Sequence, residues 1–327
     1  MIMIKEGNER AKYKLRPIDI ARLVRNKFRR HCFKFKFYSK CRFVRLREKN
    51  IYYFIFKPNY KHPGLADRMK AIVSSYNIAK ANGYKYKLYF ETPFRLFDYL
   101  MPNFDMGVNL SDVDYSLLDT RLTRERYKEK LIKLRPNKQY QCYEYEGHAM
   151  PRVFPNTGRR WSDVFHEMFR PSVKLEAAYK SLNIKEHTYV SCHLRFVNAL
   201  EKFENTFFDN YISTEKERQS LINRCKIGIQ EILDENPNKD VYVFSDSKLF
   251  LDSLADMPVK VLPHDNIEHV SEGADDDSVL KTFLDLYVMS KGDAVYRFCA
   301  PELYSISHYA LLAATIGDIP FYDQNVE

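Results

Sequence analysis

No apolar run in this chain approaches the roughly 18 residues that a membrane span requires. The longest, Ile51 to Phe56, suits a buried strand. The start, Met1 to Arg16, is polar and lacks the apolar core of a secretory signal. The six cysteines, Cys32, Cys41, Cys142, Cys192, Cys225 and Cys299, are scattered, and none forms a C-x-x-C pair. That spacing argues against a zinc site and against a secreted disulfide framework, and it fits reduced thiols in a cytoplasm. There is no G-x-S-x-G, no H-E-x-x-H and no P-loop, so serine hydrolase, zincin and P-loop NTPase chemistry have nothing to rest on. Nor is there an internal repeat of the length that marks a solenoid or propeller.

What is present suffices for a folded body. Of 327 residues, 45% are hydrophobic, enough for real cores and, at this length, for two domains. The formal net charge of +9 is concentrated: residues 22–49 hold twelve Lys or Arg against one acid, Glu48. A near-neutral body thus carries a basic arm, which argues against a nucleic-acid footprint spread over the whole fold. In the arm, Val24, Phe28, Cys32 and Phe35 recur at helical spacing, whereas Phe33-Lys34-Phe35-Lys36-Phe37 alternates as a strand would. Three readings stand at this point. The arm contacts an anionic membrane, it stacks on RNA, or it is a solvated helix packed on the body by its Phe residues.

From Ile51 strands and helices alternate. Ile51–Phe56 predicts a strand, Ala66 to Ala81 a helix stopped by Asn82-Gly83, and Tyr86–Phe90 a strand, a unit that implies a parallel sheet. The middle is less regular, with an exposed charged helix expected over Thr120 to Leu134 and a short helix over Trp161–Phe169. A second series follows. Strands are expected at Thr188–Cys192, Val241–Phe244, Val259–Leu262 and Ala294–Phe298; helices at Glu215–Asn236, Lys248–Ala255, Val279–Ser290 and Glu302–Ile316. The fold class is therefore α/β, with a basic arm over residues 1–49 and two Rossmann-like domains, 50–186 and 187–327, separated by a cleft.

Candidate chemistry lies at strand ends. His193-Leu194-Arg195 follows the strand Thr188–Cys192, and residues two apart point the same way in extended chain. Both cations would project from the carboxyl end of a parallel strand, where open α/β sheets bind ligands, and the guanidinium fork suits phosphate oxygens. Alone, H-x-R is more often a surface Arg beside a core His. Ser245-Asp246-Ser247 also ends a strand, where it can meet a ribose or base edge, cap the next helix, or do both. Gly64-Leu65-Ala66-Asp67-Arg68 is a βα turn that lets backbone approach a phosphate, or a plain connection. Tyr304-Ser305-Ile306-Ser307 opens the expected last helix, as an anion site or as a cap. The D-x-D spacings at Asp112–Asp114 and Asp275–Asp277 could hold Mg²⁺ or Mn²⁺, but Asp275–Asp277 stands before a helix and reads as its start.

In order and spacing, these segments resemble the fucosyltransferase superfamily that includes the α1,2-fucosyltransferases, the core α1,6-enzymes with the nodulation enzymes, and the protein O-fucosyltransferases. Gly64 to Ala71 is similar to their G-x-G-N-R turn and helix, His193-Leu194-Arg195 to their H-x-R, and Val243-Phe244-Ser245-Asp246 to their strand ending in Ser or Thr then Asp. Phe283 to Ser290, Asp293–Phe298 and Tyr304-Ser305 are similar to their final helix, strand and aromatic-Ser step. The resemblance covers about residues 51–327. It implies a GT-B-like fold and metal-independent, inverting transfer from GDP-fucose, with no cofactor. It further implies that Arg195 and His193 contact the donor diphosphate, that Ser245, Asp246 and Asp285 line ribose or guanine, and that Ser305 and Ser307 meet the β-phosphate. Gly64, Asp67 and Arg68 would close over the diphosphate. The chain departs from the pattern at Ala66, at Asp67, and at Phe196-Val197-Asn198, where many members carry a second Arg and an Asp. Glu201 and Glu204 are the acids nearest the position of the core-type base. The expected partners are a nucleotide sugar, a saccharide acceptor of a bacterial surface glycan, and an anionic membrane at the inner face of the cell. The alternatives are another nucleotide-sugar donor on the same fold, or a non-enzymatic protein whose arm binds RNA or membrane.

Overall fold

The computed structural model describes residues 17–58, 62–125, 132–145, 150–201, 210–263 and 275–326. A helix, α1 (Pro17–Tyr38), precedes two parallel sheets. The first has the order β2-β1-β5-β4, from β1 (Ile51–Ile55), β2 (Lys85–Tyr89), β4 (Thr120–Thr123) and β5 (Gln139–Cys142). All five residues of β1 are buried, which explains its unbroken apolar sequence, since a central parallel strand is covered on both faces. The helix α2 (Leu65–Ala81) makes the crossover from β1 to β2, and Gly83, at φ +71°, turns the chain after it.

The second sheet runs β11-β10-β7-β8-β9, from β7 (Tyr189–Leu194), β8 (Asp240–Ser245), β9 (Lys260–Val261), β10 (Ala294–Cys299) and β11 (Phe321–Asn325). Counted from β7, this is the 3-2-1-4-5 order of a dinucleotide-type fold, and its order reverses between β7 and β10. In that register His193 stands beside Arg297. Four helices connect these strands: α5 (Glu215–Glu235), α6 (Lys248–Asp252), α7 (Asp276–Ser290) and α8 (Tyr309–Gly317). The Thr214 side chain caps α5. The Thr214 hydroxyl accepts from the Glu217 N–H at 3.3 Å, and the same hydroxyl donates to the Glu217 carboxylate at 2.6 Å.

The irregular middle joins the halves. β3 (Leu100–Pro102) pairs antiparallel with β6 (Phe169–Pro171), flanked by α3 (Trp161–Met168) and α4 (Val173–Ser181). Residues of α3 bond to the end of α8: the Ser162 hydroxyl donates to the Ile316 carbonyl at 2.7 Å, and Arg160 pairs with Asp318 at 2.6 Å. Phe283 of α7 stacks on Tyr99 at 4.8 Å and meets the edge of Phe94 at 5.6 Å. One apolar cluster therefore runs from Tyr52 and Phe54 of the first sheet to Val288 and Ala313 of the second half. Gly317 ends α8 hard against α7; a Cβ there would lie 2.1 Å from the Ser290 carbonyl oxygen.

Three expectations need correction. Thr120–Thr123 is a strand rather than the start of an exposed helix; it is short and charged but pairs with the buried β5. Residues 126–131 of that expected helix lie outside the described residues. The helix after Ser247 stops at Asp252, and the last helix begins at Tyr309 rather than Glu302, so Tyr304 to Ser307 form turns ahead of it. The arm, left between helix and strand by its sequence, is helical through Tyr38.

Candidate functional site

The carboxyl ends of β7 and β10 meet the start of α8, and α2 reaches it from the other sheet through Lys70. Asp246, just past β8, organises this place. Its carboxylate accepts the N–H groups of Phe196 at 2.7 Å and Val197 at 2.8 Å, and lies 3.1 Å from Nη1 of Arg195. Val197 sits at φ +58°, a conformation unfavourable to a β-branched residue. Asp246 thus folds Arg195, Phe196 and Val197 around one buried carboxylate, and the strain at Val197 is held by that clamp. The sequence suggested Asp246 for ribose or guanine; in the structure its oxygens bond the loop that carries Arg195. The neighbouring Ser245 hydroxyl accepts the Ser247 N–H at 3.1 Å, while Ser247 caps α6.

His193 is buried, with Nδ1 shielded from solvent and without a hydrogen-bond partner. Its ring lies 5.5 Å from that of Tyr309. Burial, then the charges of Arg195 and Arg297, pull its pKa down to about 3, so it stands as a neutral imidazole at physiological pH. The sign for stability follows. The unfolded chain takes up this proton near pH 6.5 and the folded one only near 3, so stability falls as pH drops through that window. At pH 4.5, two units below the unfolded value, the loss relative to pH 7 from this group is on the order of 3 kcal/mol. Urea melts of His193→Gln are expected to show a shallower acid decline than wild type by that order; parallel declines would remove His193 as the cause.

Arg297, which sequence reasoning missed, extends the cationic edge. It forks onto Asp323 at 2.8 and 3.0 Å and donates to the Ser307 carbonyl at 3.0 Å, tying the turn before α8 to β10. The Ser305 hydroxyl is spent inside that turn, donating to the Ala300 carbonyl at 3.1 Å, and the Ser307 hydroxyl lies 3.4 Å from the Tyr309 N–H. Ser305 and Ser307 therefore shape the turn ahead of α8 instead of lying in the helix.

Across the cleft, Gly64 precedes α2 without a side-chain cap. Lys70, 1% exposed, reaches from α2 to the far half: its Nζ lies 2.6 Å from Asp67 and 3.0 Å from Nδ1 of His308, the residue that precedes α8. Nothing but a Lys within an otherwise apolar helix face hinted at this link in the sequence. Arg68 is 4% exposed. Its Nε donates to the Pro63 carbonyl at 2.7 Å, the guanidinium lies over the rings of Phe90 and Phe94, and buried Nη1 has no partner. Burial pulls its pKa down, which the Tyr145 phenol opposes. A buried guanidinium with an open donor and, among the described residues, no paired carboxylate is costly unless an anion completes it.

Two predicted residues are engaged elsewhere. Both oxygens of Asp285 lie 2.6 Å from Nζ of Lys281, one turn away on α7; burial pushes the carboxyl upward and Lys281 opposes this. Oε1 of Glu201 accepts from the Ser247 hydroxyl at 2.7 Å and the Leu249 N–H at 3.1 Å, holding the start of α6. Glu204 lies outside the described residues. Asp275 accepts the Ser278 N–H at 2.7 Å, the helix-start role expected for it. Among the described residues no cluster of His, Cys, Asp and Glu could hold a metal ion.

No family model and no curated protein matches this sequence. Solved structures do match in fold. The fucosyltransferase NodZ from Bradyrhizobium superposes with a TM-score of 0.52 at 13% identity over 82% of this chain and 92% of its own. NodZ α-1,6-fucosyltransferase co-crystallised with GDP gives 0.51 at 12% identity over the same shares of the two chains, 82% and 92%. A variant of Arabidopsis thaliana FUT1 in complex with GDP gives 0.52 at 9% identity over 95% of this chain and 80% of that one. The chain therefore has the GT-B-like α/β fold of these fucosyltransferases.

Proposed function

We propose that this protein is a glycosyltransferase that moves fucose from GDP-fucose to a saccharide acceptor, with inversion and without a metal ion. The observation that carries this reading is the Lys70–His308 link, which ties the helix of Arg68 to the turn ahead of α8, where the Tyr304 N–H donates to the Arg195 carbonyl at 2.8 Å, in a fold shared with GDP-bound fucosyltransferases. In such a displacement the acceptor hydroxyl attacks the anomeric carbon as the bond to the β-phosphate oxygen breaks, and negative charge grows on the departing diphosphate. Fixed cations and N–H dipoles aimed at that charge lower the barrier most. Arg195, held by Asp246, supplies one, and Arg68 has the unfilled donor for another. His193, neutral and buried, contacts the donor without adding charge.

The acceptor proton requires a base. Glu201 and Glu204 follow Arg195 closely in the chain, and the engagement of Glu201 with α6 favours Glu204. Turnover of GDP-fucose in the presence of EDTA, compared for wild type, Glu201→Gln and Glu204→Gln, tests the reading. Metal-free turnover that falls about 100-fold or more in Glu204→Gln alone supports it; wild-type rates in both variants, or activity abolished by EDTA, would contradict it.

A second reading, the same fold with another nucleotide-sugar donor, is favoured by one observation. Asp246 and Asp285, the acids expected at ribose or base, are bound within the protein. The acceptor we propose is a surface glycan or lipid-linked saccharide at the inner face of a membrane, with the basic arm as the peripheral attachment. No helix among the described residues is long and apolar enough to cross a bilayer.

A further inference from the structure

The helix α1 has two apolar sides with opposite uses. One side holds the body: Phe37 is buried, Phe33 meets the edge of Tyr143 at 5.6 Å, and Nζ of Lys57 lies 3.5 Å from the centre of the Phe33 ring. Beyond the helix, Arg45, Lys49, Lys138 and the Leu46 N–H converge on the buried carboxylate of Asp119. Burial raises its pKa, yet those hydrogen bonds and charges bring it down to about 2. The arm is thus firmly seated.

The other side is unpartnered among the described residues. Val24, Phe28 and Phe35 are 63%, 68% and 79% exposed, and Cys32 beside them is exposed as well. At about 100° per residue these four fall within an arc of roughly 80°, opposite Phe37, along about 16 Å of helix. Arg25, Arg29 and Lys36 flank the stripe on one side and Lys27 and Lys34 on the other, all exposed. Past the helix, Phe43 at 78% and Val44 at 47% are exposed among Arg42, Arg45 and Arg47. An apolar stripe bordered by cations along both edges is the pattern of a helix lying in the plane of a bilayer surface.

We infer that this face of α1 docks onto an anionic lipid bilayer, with Phe28 and Phe35 entering the headgroup boundary and the flanking Lys and Arg meeting lipid phosphates. Charge decides the occupant. A second copy of this chain would set two strongly basic faces against each other, and twelve cations against one acid in residues 22–49 fit a negative surface. Position gives the docking a purpose that rests on the transferase reading. Tyr143 and Lys57, on which Phe33 sits, directly follow β5 and nearly follow β1, so the second half of α1 lies at the carboxyl edge of the first sheet. That is the edge at which α2 opens toward the cleft, and an acceptor carried by lipid would enter there.

The test is sedimentation of the full-length protein with vesicles of phosphatidylcholine alone, or with about 30 mol% phosphatidylglycerol. Wild type is expected to bind the anionic vesicles, to leave them as salt is raised, and to leave pure phosphatidylcholine vesicles largely unbound. The double variant Phe28→Asp, Phe35→Asp is expected to lose about tenfold or more of that binding, since each ring inserts apolar surface. The pair Phe28→Leu, Phe35→Leu should retain most of it. Both rings are exposed, so the Asp pair should keep the wild-type melting point and any nucleotide-induced shift, which separates this inference from the donor site. Undiminished vesicle binding by the Asp pair, equal binding to both vesicle types, or a salt-stable dimer or poly(U) complex lost in the Asp pair without any vesicle binding would overturn it.

Discussion

Arg195→Ala is expected to lower kcat for sugar transfer by about 10²- to 10³-fold, the loss typical for removing one donor aimed at developing charge. The argument starts from position. Arg195 follows β7 where the sheet order reverses, and it points with His193 from the same strand end. Its Nη1 is paired with a carboxylate that also accepts the next two backbone N–H groups, of Phe196 and Val197, so the guanidinium is pre-set before any ligand arrives. Charge that is pre-set costs little reorganisation when the diphosphate departs. Arg195→Lys should recover only part of the loss, because an ammonium cannot both keep the Asp246 contact and fork onto phosphate. Steady-state kinetics distinguish the roles. A fall in kcat indicates stabilisation of the departing group, whereas a rise in KM alone would reduce Arg195 to ground-state binding.

Asp246→Asn is expected to cost more in stability than any other single change at the site, about 3–5 kcal/mol. An amide in place of the carboxylate turns an NH₂ group toward a backbone N–H, of Phe196 or of Val197, and removes the charge that offsets Arg195. Val197 at φ +58° then loses the bond that holds it in an unfavourable conformation. Urea denaturation measures the first effect. Nucleotide binding by the fraction that remains folded measures the second, because a released loop no longer presents the guanidinium. An Asp246→Asn protein with wild-type midpoint and wild-type nucleotide affinity would show that the clamp is not what positions Arg195.

Much of this arrangement was legible in sequence, for physical reasons. Buried parallel strands are apolar throughout, so Ile51–Phe56 and the strand leading to His193 declared themselves, and H-x-R was found because extended chain alternates. The start of α7 was marked by its acids. The short strand Thr120–Thr123 was hidden because three of its four residues are only half-buried and its pairing is with a distant partner. Asp246 was seen as a strand-end acid, but its bonds to Phe196 and Val197 were not, since a carboxylate there serves a ligand or a neighbouring loop equally well until the loop is folded. Lys70 and His308 lie far apart in the chain, and no local pattern reveals that they meet. The arm showed its periodicity but not its division into a docking side and an outward side, which depends on where Tyr143 and Lys57 come to rest.

The most direct test of the central claim is a thermal-shift titration with GDP, UDP, CDP and ADP, with and without Mg²⁺, on wild type and Arg195→Ala. A ligand that binds only the folded state raises the midpoint with its concentration, by about 2.7 kcal/mol of stability at 100 times its Kd. The expected result is a concentration-dependent rise with GDP, independent of Mg²⁺ and lost in Arg195→Ala. A rise with UDP instead, or only with metal, would keep the fold and contradict the donor, and no rise with any of the four would contradict a nucleotide-sugar site between the two sheets.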